Sequence, residues 1–405
     1  MDAKKFLRNI LLVSLSLHLC LLAVINFGLR PSFYIRNRHA NSNDGEAYST
    51  HGRVISYLLT DKLPDENIRI RRPDLKVGIS EVIDYAQNGL LVPANMYQIG
   101  FITYLYSLIY AVFGYSPVLI NLLNIMLHLL TAVLIFKICG ILFDQRTGCI
   151  ASAIFLFNPI LFYYSSIKLA DMLYIFIAYA SLYFLLSSQK KKYYIFFVPI
   201  LLFAMYFIKR IYFVPLLAVY LIYMIIFFFF KNRKLFISCA ACIIALMIFS
   251  GKLGMISAKI SHILETAAFH NLQYQRSGGF TYDLLIFGED YSVYSPLQWF
   301  IYGINGWYRM LFEPLHAPSV SYLLYYPFKI IFLFLCFFAV LAVLLSVKLK
   351  IRRAALLSVF FVTIGSIIAL GSGNVGTMLR HRDIITPIIF IFSSAFLSGY
   401  FRTFR

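Results

Sequence analysis

The chain has 405 residues, of which 61% are hydrophobic and only 13% charged, and it carries a formal net charge of +19. A soluble domain averages about 45–50% apolar and about 25% charged residues, so this chain holds more hydrophobicity than a water-facing surface tolerates. The apolar residues also fall in blocks of about 18–24, enough to cross a bilayer core of about 30 Å, which excludes a soluble enzyme, a disordered protein and a disulfide scaffold.

The first apolar block, Phe6–Phe27, stands behind Lys4, Lys5 and Arg8. It is longer than a signal-peptide core and no small-x-small cleavage site follows, so it reads as an anchor with its amino end in the cytoplasm. A large polar loop at 29–95 comes next, then an apolar segment at 96–116. Spans are predicted at Pro117–Gly140, Gly148–Ser165, Met172–Ser187, Tyr193–Ile208, Tyr212–Phe230 and Leu235–Gly251. A second large loop, 252–320, contains another apolar segment, Pro296–Phe312. Tyr322–Ser346, Ala354–Gly371 and Ile384–Phe401 bring the total to about ten spans. The expected fold is all-α, a single integral-membrane domain over residues 1–405.

Tyr97–Gly114 and Pro296–Phe312 are left out of that count on parity. If Tyr97–Gly114 crossed, the runs Lys190-Lys191-Lys192, Lys231-Asn232-Arg233-Lys234 and Lys348–Arg353 would all face outward. That breaks the positive-inside rule three times. If it lies in the interface or dips and returns, all three runs face the cytoplasm, with Arg402 and Arg405. The second segment, which contains Gly303, Gly306 and Arg309, follows the same logic. Both are therefore expected as interfacial helical segments on the outer face, with both termini cytoplasmic.

This orientation divides the charge. The cytoplasmic ends hold seventeen Lys and Arg against two acids, a net +15, and the outer side holds the other nineteen bases and fifteen acids, a net +4. Most of the basic excess is thus a topology signal, and a nucleic-acid partner is not needed. All six cysteines (Cys20, Cys139, Cys149, Cys239, Cys242 and Cys336) fall in spans or at their cytoplasmic ends, so no structural disulfide is expected. Walker loops, nucleotide-binding glycine fingerprints, nucleophile elbows and zinc spacings are absent from the sequence. The span middles read as uncharged and apolar, and no internal repeat is visible, which weighs against a transporter.

Cytoplasmic connections are short and outer loops long, which places any chemistry outside. The first outer loop carries Asn43-Asp44-Gly45-Glu46-Ala47-Tyr48. By local sequence alone Asp44 reads as a solvated loop acid before a general base or a metal ligand. Two further features shift the balance. Asp171, after Ser165-Ser166-Ile167-Lys168, puts a second carboxylate on the same face, where it also suits a helix cap. Lys209-Arg210 and Arg380-His381-Arg382 place bases outside, against the topological bias. Such bases either snorkel to headgroups or hold an anion, and the arginine fork suits phosphate. Acids beside phosphate-binding bases at a membrane face fit a sugar carried on a polyprenyl phosphate. A carboxylate would take the acceptor hydroxyl's proton, and the bases would stabilise the departing lipid phosphate.

The order of these motifs resembles the C-superfamily of integral-membrane glycosyltransferases, of the family 39-like, protein-mannosyltransferase and aminoarabinose-transferase type. The resemblance runs over most of the chain. It rests on the acidic motif after the first span, the segment from Tyr97-Gln98-Ile99-Gly100 to Val112-Phe113-Gly114-Tyr115, and the basic turn from Lys137 to Gly148. Phe157-Asn158-Pro159-Ile160 leading to Asp171, and Gly376-Thr377-x-x-Arg380-His381-Arg382 with Pro387, complete it. Val92-Pro93-Ala94-Asn95 departs from it, since relatives often carry paired prolines there. The resemblance implies Asp44 as catalytic base and Asp171 as a second acid shaping the site. Glu46, Tyr48, Lys168, Lys209, Arg210, Arg380 and Arg382 would contact substrate.

The implied reaction is an inverting transfer from a polyprenyl-phosphate donor to a cell-envelope glycan, lipid or protein acceptor, in a bacterial plasma membrane. No cofactor is required, and a divalent cation among Asp44, Glu46 and Asp171 is compatible. An O-antigen or capsule polymerase leaning on Arg380 and Arg382 is the alternative, and a flippase of lipid-linked sugars a weaker one.

Overall fold

A computed structural model describes residues 2–24, 101–167, 171–224, 294–312, 326–349, 352–371 and 375–401, with short pieces between 49 and 78 and isolated positions between 265 and 287. Helix α1 (Ala3–Ala23) opens at Asp2, whose carboxylate accepts from the backbone N–H of Lys4 at 3.0 Å. It exposes Leu12, Val13, Leu17 and Leu19 and buries Ser14 and His18. Polar residues inside and apolar ones outside is the reverse of a water-soluble helix and suits a lipid surround. In the first large loop, β1 (Asn67–Arg69) pairs antiparallel with β2 (Lys76–Gly78), with Ile68 opposite Val77. This hairpin is an addition to the all-α expectation.

Helix α2 (Phe101–Phe113) follows, then α3 (Pro117–Leu142), α4 (Gln145–Leu156) and α5 (Pro159–Ser165). At 13 residues, α2 is about 20 Å long, short of a bilayer crossing. It too is inverted, burying Thr103, Ser107 and Tyr110 while exposing Phe101, Tyr104, Leu108 and Val112. The segment expected as one span, Gly148–Ser165, is broken: α4 and α5 meet at an angle of 64°. Pro159 lacks the N–H that would continue α4, and the Asn158 side chain caps α5 by accepting from Ile160 and Leu161, both at 3.1 Å.

Helix α6 (Asp171–Ser187), a 3-10 turn at Lys192–Phe196, α7 (Phe197–Ile208) and α8 (Arg210–Met224) come next. Only Lys209 separates α7 from α8, a tighter connection than the sequence suggests. The later chain forms α9 (Pro296–Phe312), α10 (Tyr326–Lys348), α11 (Arg352–Gly371), α12 (Val375–Arg382) and α13 (Thr386–Leu397). Among the described residues, α1, α3, α10 and α11 are long and apolar enough to cross a membrane, and the bent pair α4–α5 makes up to five. The remaining apolar helices are shorter, and the predicted span Leu235–Gly251 lies outside the described residues.

The chain divides into two compact units, residues 1–136, 152–180 and 203–210 in the first and residues 137–151, 181–202 and 211–405 in the second. In the first unit, His18 of α1 lies beside His128 of α3, ring centroids 5.2 Å apart. Residues before His18 share a groove with residues after His128. The two helices are therefore antiparallel, as the charge parity requires if the chain between them crosses an even number of times.

In the second unit, Phe338 of α10 stacks on Phe396 of α13 at 5.3 Å. Positions that the charge pattern assigns to one side come together here. Phe143 meets Phe392, Tyr400 and Phe401, Thr147 bonds Ser398 at 2.9 Å, Arg353 reaches the Ile141 carbonyl, and Ser188 bonds Tyr223 at 2.8 Å. Helix α9 lies along residues 361–370 of α11, with Trp307 against Phe361 and Gly365, and Gly306 against the Ala369 backbone. Small residues permit that approach.

A Cβ added at Gly306 would land on the Ala369 carbonyl, whereas one at Gly140 of α3 meets nothing within 4 Å. Gly306→Ala should therefore lower the midpoint of thermal unfolding in detergent, at a cost of about 1–3 kcal/mol. Gly140→Ala, which gains helix propensity, should leave the midpoint unchanged or raise it. Equal effects from the two would show that α9 and α11 are not in backbone contact.

Candidate active site

The first unit brings neighbours of several sequence candidates to one short helix. Ile102, Tyr106 and Tyr110 of α2 form a buried cluster with Ile120 of α3, and Ile109, Leu173 and Ile208 pack against it. Leu173 stands two residues from Asp171, and Ile208 adjoins Lys209. The stretch just after the acidic motif reaches the same cluster. Ser49 is buried and its hydroxyl bonds the Tyr110 hydroxyl at 2.8 Å. A Cβ at Gly52 would stand 2.8 Å from Tyr106 Cβ, so the backbone there rests directly on α2. Arg53 donates to the Tyr57 hydroxyl at 2.8 Å and lies over the Tyr115 ring at 4.3 Å. Burial pushes the Tyr110 phenol up to about 12, against the opposing effect of the Ser49 bond, so Tyr110 stays a neutral hydrogen-bonding group across the physiological range.

A second set of bonds holds α5 and the residues just after it, as far as Ile167. The break at Asn158–Pro159 leaves α5 a single short helix in an apolar setting, and its carboxyl end needs partners. Ser165 and Ser166 turn back to the Phe162 carbonyl at 2.8 and 3.0 Å. Asn124 of α3 donates its amide to the Ile167 carbonyl at 2.7 Å. His18 of α1 binds the Ser14 carbonyl through Nδ1 at 2.7 Å, and its Nε2 lies 2.8 Å from the Ser165 hydroxyl, whose one proton is shared between Nε2 and the Phe162 carbonyl. Asp171 then begins α6, only 4% exposed, and its carboxylate accepts from the Tyr174 hydroxyl at 2.6 Å. Asp171 lies in the first turn of α6, where the helix dipole favours a negative charge.

The later bases belong to the second unit. Arg380 is half-buried on α12, and His381 beside it meets the Tyr212 ring edge-on at 6.1 Å. Arg382 is only 3% exposed, donates to the Met310 carbonyl at 3.0 Å and lies over Phe332 at 4.6 Å. Lys329, also buried, donates to the neighbouring Leu311 carbonyl. Two cations thus cap the carboxyl end of α9, where free carbonyls and the negative end of the dipole favour them.

Asp44, Glu46, Tyr48 and Lys168 lie outside the described residues, and of Arg210 only the backbone is described. Among the described residues there is no group of three or more His, Cys, Asp and Glu placed to hold a metal. The sequence reading missed His18, Asn124 and His128, and its premise of apolar span middles is corrected by their burial within α1 and α3. The signal was present. Asn121, Asn124 and His128 recur at three- and four-residue steps, as do Ser14 and His18, and so mark one polar face on each helix.

Ser49 just after the acidic motif, Leu173 two residues from the buried Asp171, and Ile208 beside Lys209 thus meet at one short helix. Residues 101–254 match the sequence model of the dolichyl-phosphate-mannose-protein mannosyltransferase family. The match covers less than half of the chain. Lys168, Asp171, Lys209 and Arg210 fall inside it, while Asp44, Glu46, Tyr48, Arg380 and Arg382 fall outside. No curated protein and no solved structure matched the chain.

The bond between His18 and Ser165 yields a measurable coupling. A double-mutant cycle of His18→Phe and Ser165→Ala, read by unfolding in detergent, should give an interaction of about 0.6–1.7 kcal/mol. Additive losses would remove the bond from the account. At Gly52, substitution by Val should lower sugar transfer by roughly tenfold to a hundredfold through displacement of the segment after the acidic motif. Expression should stay near the wild type's with a modest fall in thermal midpoint, and wild-type activity in that variant would detach α2 from the site.

Proposed function

We propose that the chain transfers a sugar, mannose on the family's pattern, from a polyprenyl phosphate to a glycan, lipid or protein acceptor at the outer face of a bacterial plasma membrane, with both termini cytoplasmic. The observation that carries this reading is the convergence on α2 of Ser49, Gly52, Leu173 and Ile208, the immediate neighbours of the acidic motif, Asp171 and Lys209.

On this reading Asp44 takes the proton from the acceptor hydroxyl as its oxygen attacks the anomeric carbon. The bond from that carbon to the phosphate oxygen breaks, its electron pair leaves with the polyprenyl phosphate, and the anomeric centre inverts in one displacement. Lys168, Lys209 and Arg210 stabilise the charge that grows on the leaving phosphate, the point at which fixed cations help most. Asp171, held by Tyr174, shapes the site beside the base, and Glu46 and Tyr48 orient the sugar. Arg380 is a further anion contact on α12, whereas Arg382 supports that helix from within. The reaction balances without a redox cofactor, and a divalent cation held by Asp44, Glu46 and Asp171 is the one addition that this scheme accommodates.

Membranes carrying the wild type should transfer radiolabelled mannose from a polyprenyl monophosphate, and Asp44→Asn should reduce that transfer by about 10²–10⁴-fold. Asp171→Asn should also reduce it, by less. Full activity of Asp44→Asn would remove the assigned base. Transfer from a diphosphate-linked oligosaccharide, with none from the monophosphate, would favour a polymerase instead.

A further inference from the structure

At the amino-terminal half of α1, the first unit holds a groove of about 430 Å³ between α1 and α3. Its walls are apolar, formed by Leu7, Leu11 and Leu15 of α1 against Leu129 and Val133 of α3. Lys4 and Arg8, on the amino-terminal part of α1, also line it, through their apolar stems. These two cations are four residues apart and so share a helix face, whereas Lys5, equally exposed, does not line the groove. From Lys4 to Leu15 the helix rises about 16 Å, which matches one leaflet of a hydrocarbon core about 30 Å thick.

We propose that this groove binds one anionic phospholipid of the cytoplasmic leaflet. An acyl chain would lie along the leucines, and the headgroup phosphate would be held between Lys4 and Arg8. Three observations carry the proposal together. The groove is open along its length and apolar, which suits a hydrocarbon chain. Both cations lie on the amino-terminal part of α1, with Leu11 and Leu15 following them along the helix, which gives the site the polarity of a lipid and not of a second helix. The depth corresponds to one leaflet and not to the full membrane. Basic positions beside grooves between membrane helices attract anionic headgroups through both charge and geometry, and neutral lipids gain only the apolar part. The assignment to the cytoplasmic leaflet rests on the orientation proposed above, but the binding itself does not.

The test uses the full chain, purified and delipidated in detergent, with dioleoyl phosphatidylglycerol or dioleoyl phosphatidylcholine added and bound lipid counted by native mass spectrometry. Phosphatidylglycerol should be retained about tenfold better than phosphatidylcholine. Arg8→Gln should lower its retention about fivefold, corresponding to one surface charge. Lys4→Gln with Arg8→Gln should abolish the preference, and Lys5→Gln, with the same change in net charge as Arg8→Gln, should preserve it. Leu11→Trp, which fills the groove, should lower retention of both lipids while the thermal midpoint stays near the wild type's.

Equal retention of the two lipids by the wild type would overturn the proposal, as would a Lys5→Gln loss equal to that of Arg8→Gln. Displacement of the lipid by inorganic phosphate alone would also overturn it, since the anion would then bind without the groove. The side of α1 is read separately, by labelling Asp2→Cys in sealed cells with a membrane-impermeant thiol reagent. Labelling from outside would overturn the orientation and leave the lipid result standing.

Discussion

Every backbone N–H and carbonyl inside hydrocarbon must find a partner within the protein, and this constraint is most demanding where α4 ends and α5 begins. Breaking a helix there frees donors at the start of α5 and carbonyls at its end. The chain answers with side chains from three places. Asn158 takes two of the freed N–H groups, Ser165 and Ser166 return to the Phe162 carbonyl, and Asn124 reaches across from α3 to Ile167. His18, from a helix nearly 150 residues earlier in the chain, completes the set at Ser165. Once these bonds are made, the end of α5 has little freedom left. Each bond is modest by itself, but losing one leaves a polar group stranded away from water, and that cost exceeds the strength of the bond.

The same constraint explains why the helices look inverted. In α1 and α2 the buried faces hold Ser, Thr, His and Tyr, and the exposed faces hold Leu, Val and Phe. Water would reject such an arrangement, while lipid permits it and leaves polar contacts and close packing as the forces that join helices. In the second unit the contact of Gly306 with Ala369 and the capping of α9 by Arg382 and Lys329 follow this pattern. An arginine that a sequence reading gives to phosphate is here spent on a helix end. Nothing in the spacing of Arg380 and Arg382 separates a base facing a ligand from one facing a carbonyl of its own chain, because that choice depends on Met310, which lies 72 residues away.

Elements of one hydrophobic period and their direction were legible in the sequence; contacts between distant segments were not. Pro117, Pro296 and Gly371 mark helix ends in both the sequence and the structure, because proline and glycine act locally. The antiparallel run of α1 and α3 agrees with a parity argument drawn only from where lysines and arginines collect. The bend at Asn158–Pro159 was written in the residues, but apolar periodicity on both sides concealed it. The hairpin of β1 and β2 escaped notice because three-residue strands leave almost no periodic signal. Of the site, Asp171 was identifiable from its position at the head of a span, whereas Ser49 and Tyr110 were not, since a serine and a tyrosine 61 residues apart carry no mark of their pairing.

The contact of Ser49 and Gly52, just after the acidic motif, with a short helix instead of a long span has a mechanical consequence under the proposed reaction. The scissile bond of a lipid-linked sugar sits beside its phosphate, and that phosphate is held at headgroup depth by the hydrocarbon below it. A base serving this bond must be held at the same depth. Helix α2 has the means, because its exposed row of Phe101, Tyr104, Leu108 and Val112 seeks the apolar side of the interface while Tyr106 and Tyr110 hold the backbone at Gly52 and the hydroxyl of Ser49. The membrane then sets the height of both reactants, one through its own lipid and the other through α2. The polar bonds around α5 hold the chain as far as Ile167, and the Tyr174 hydroxyl holds Asp171 at the start of α6.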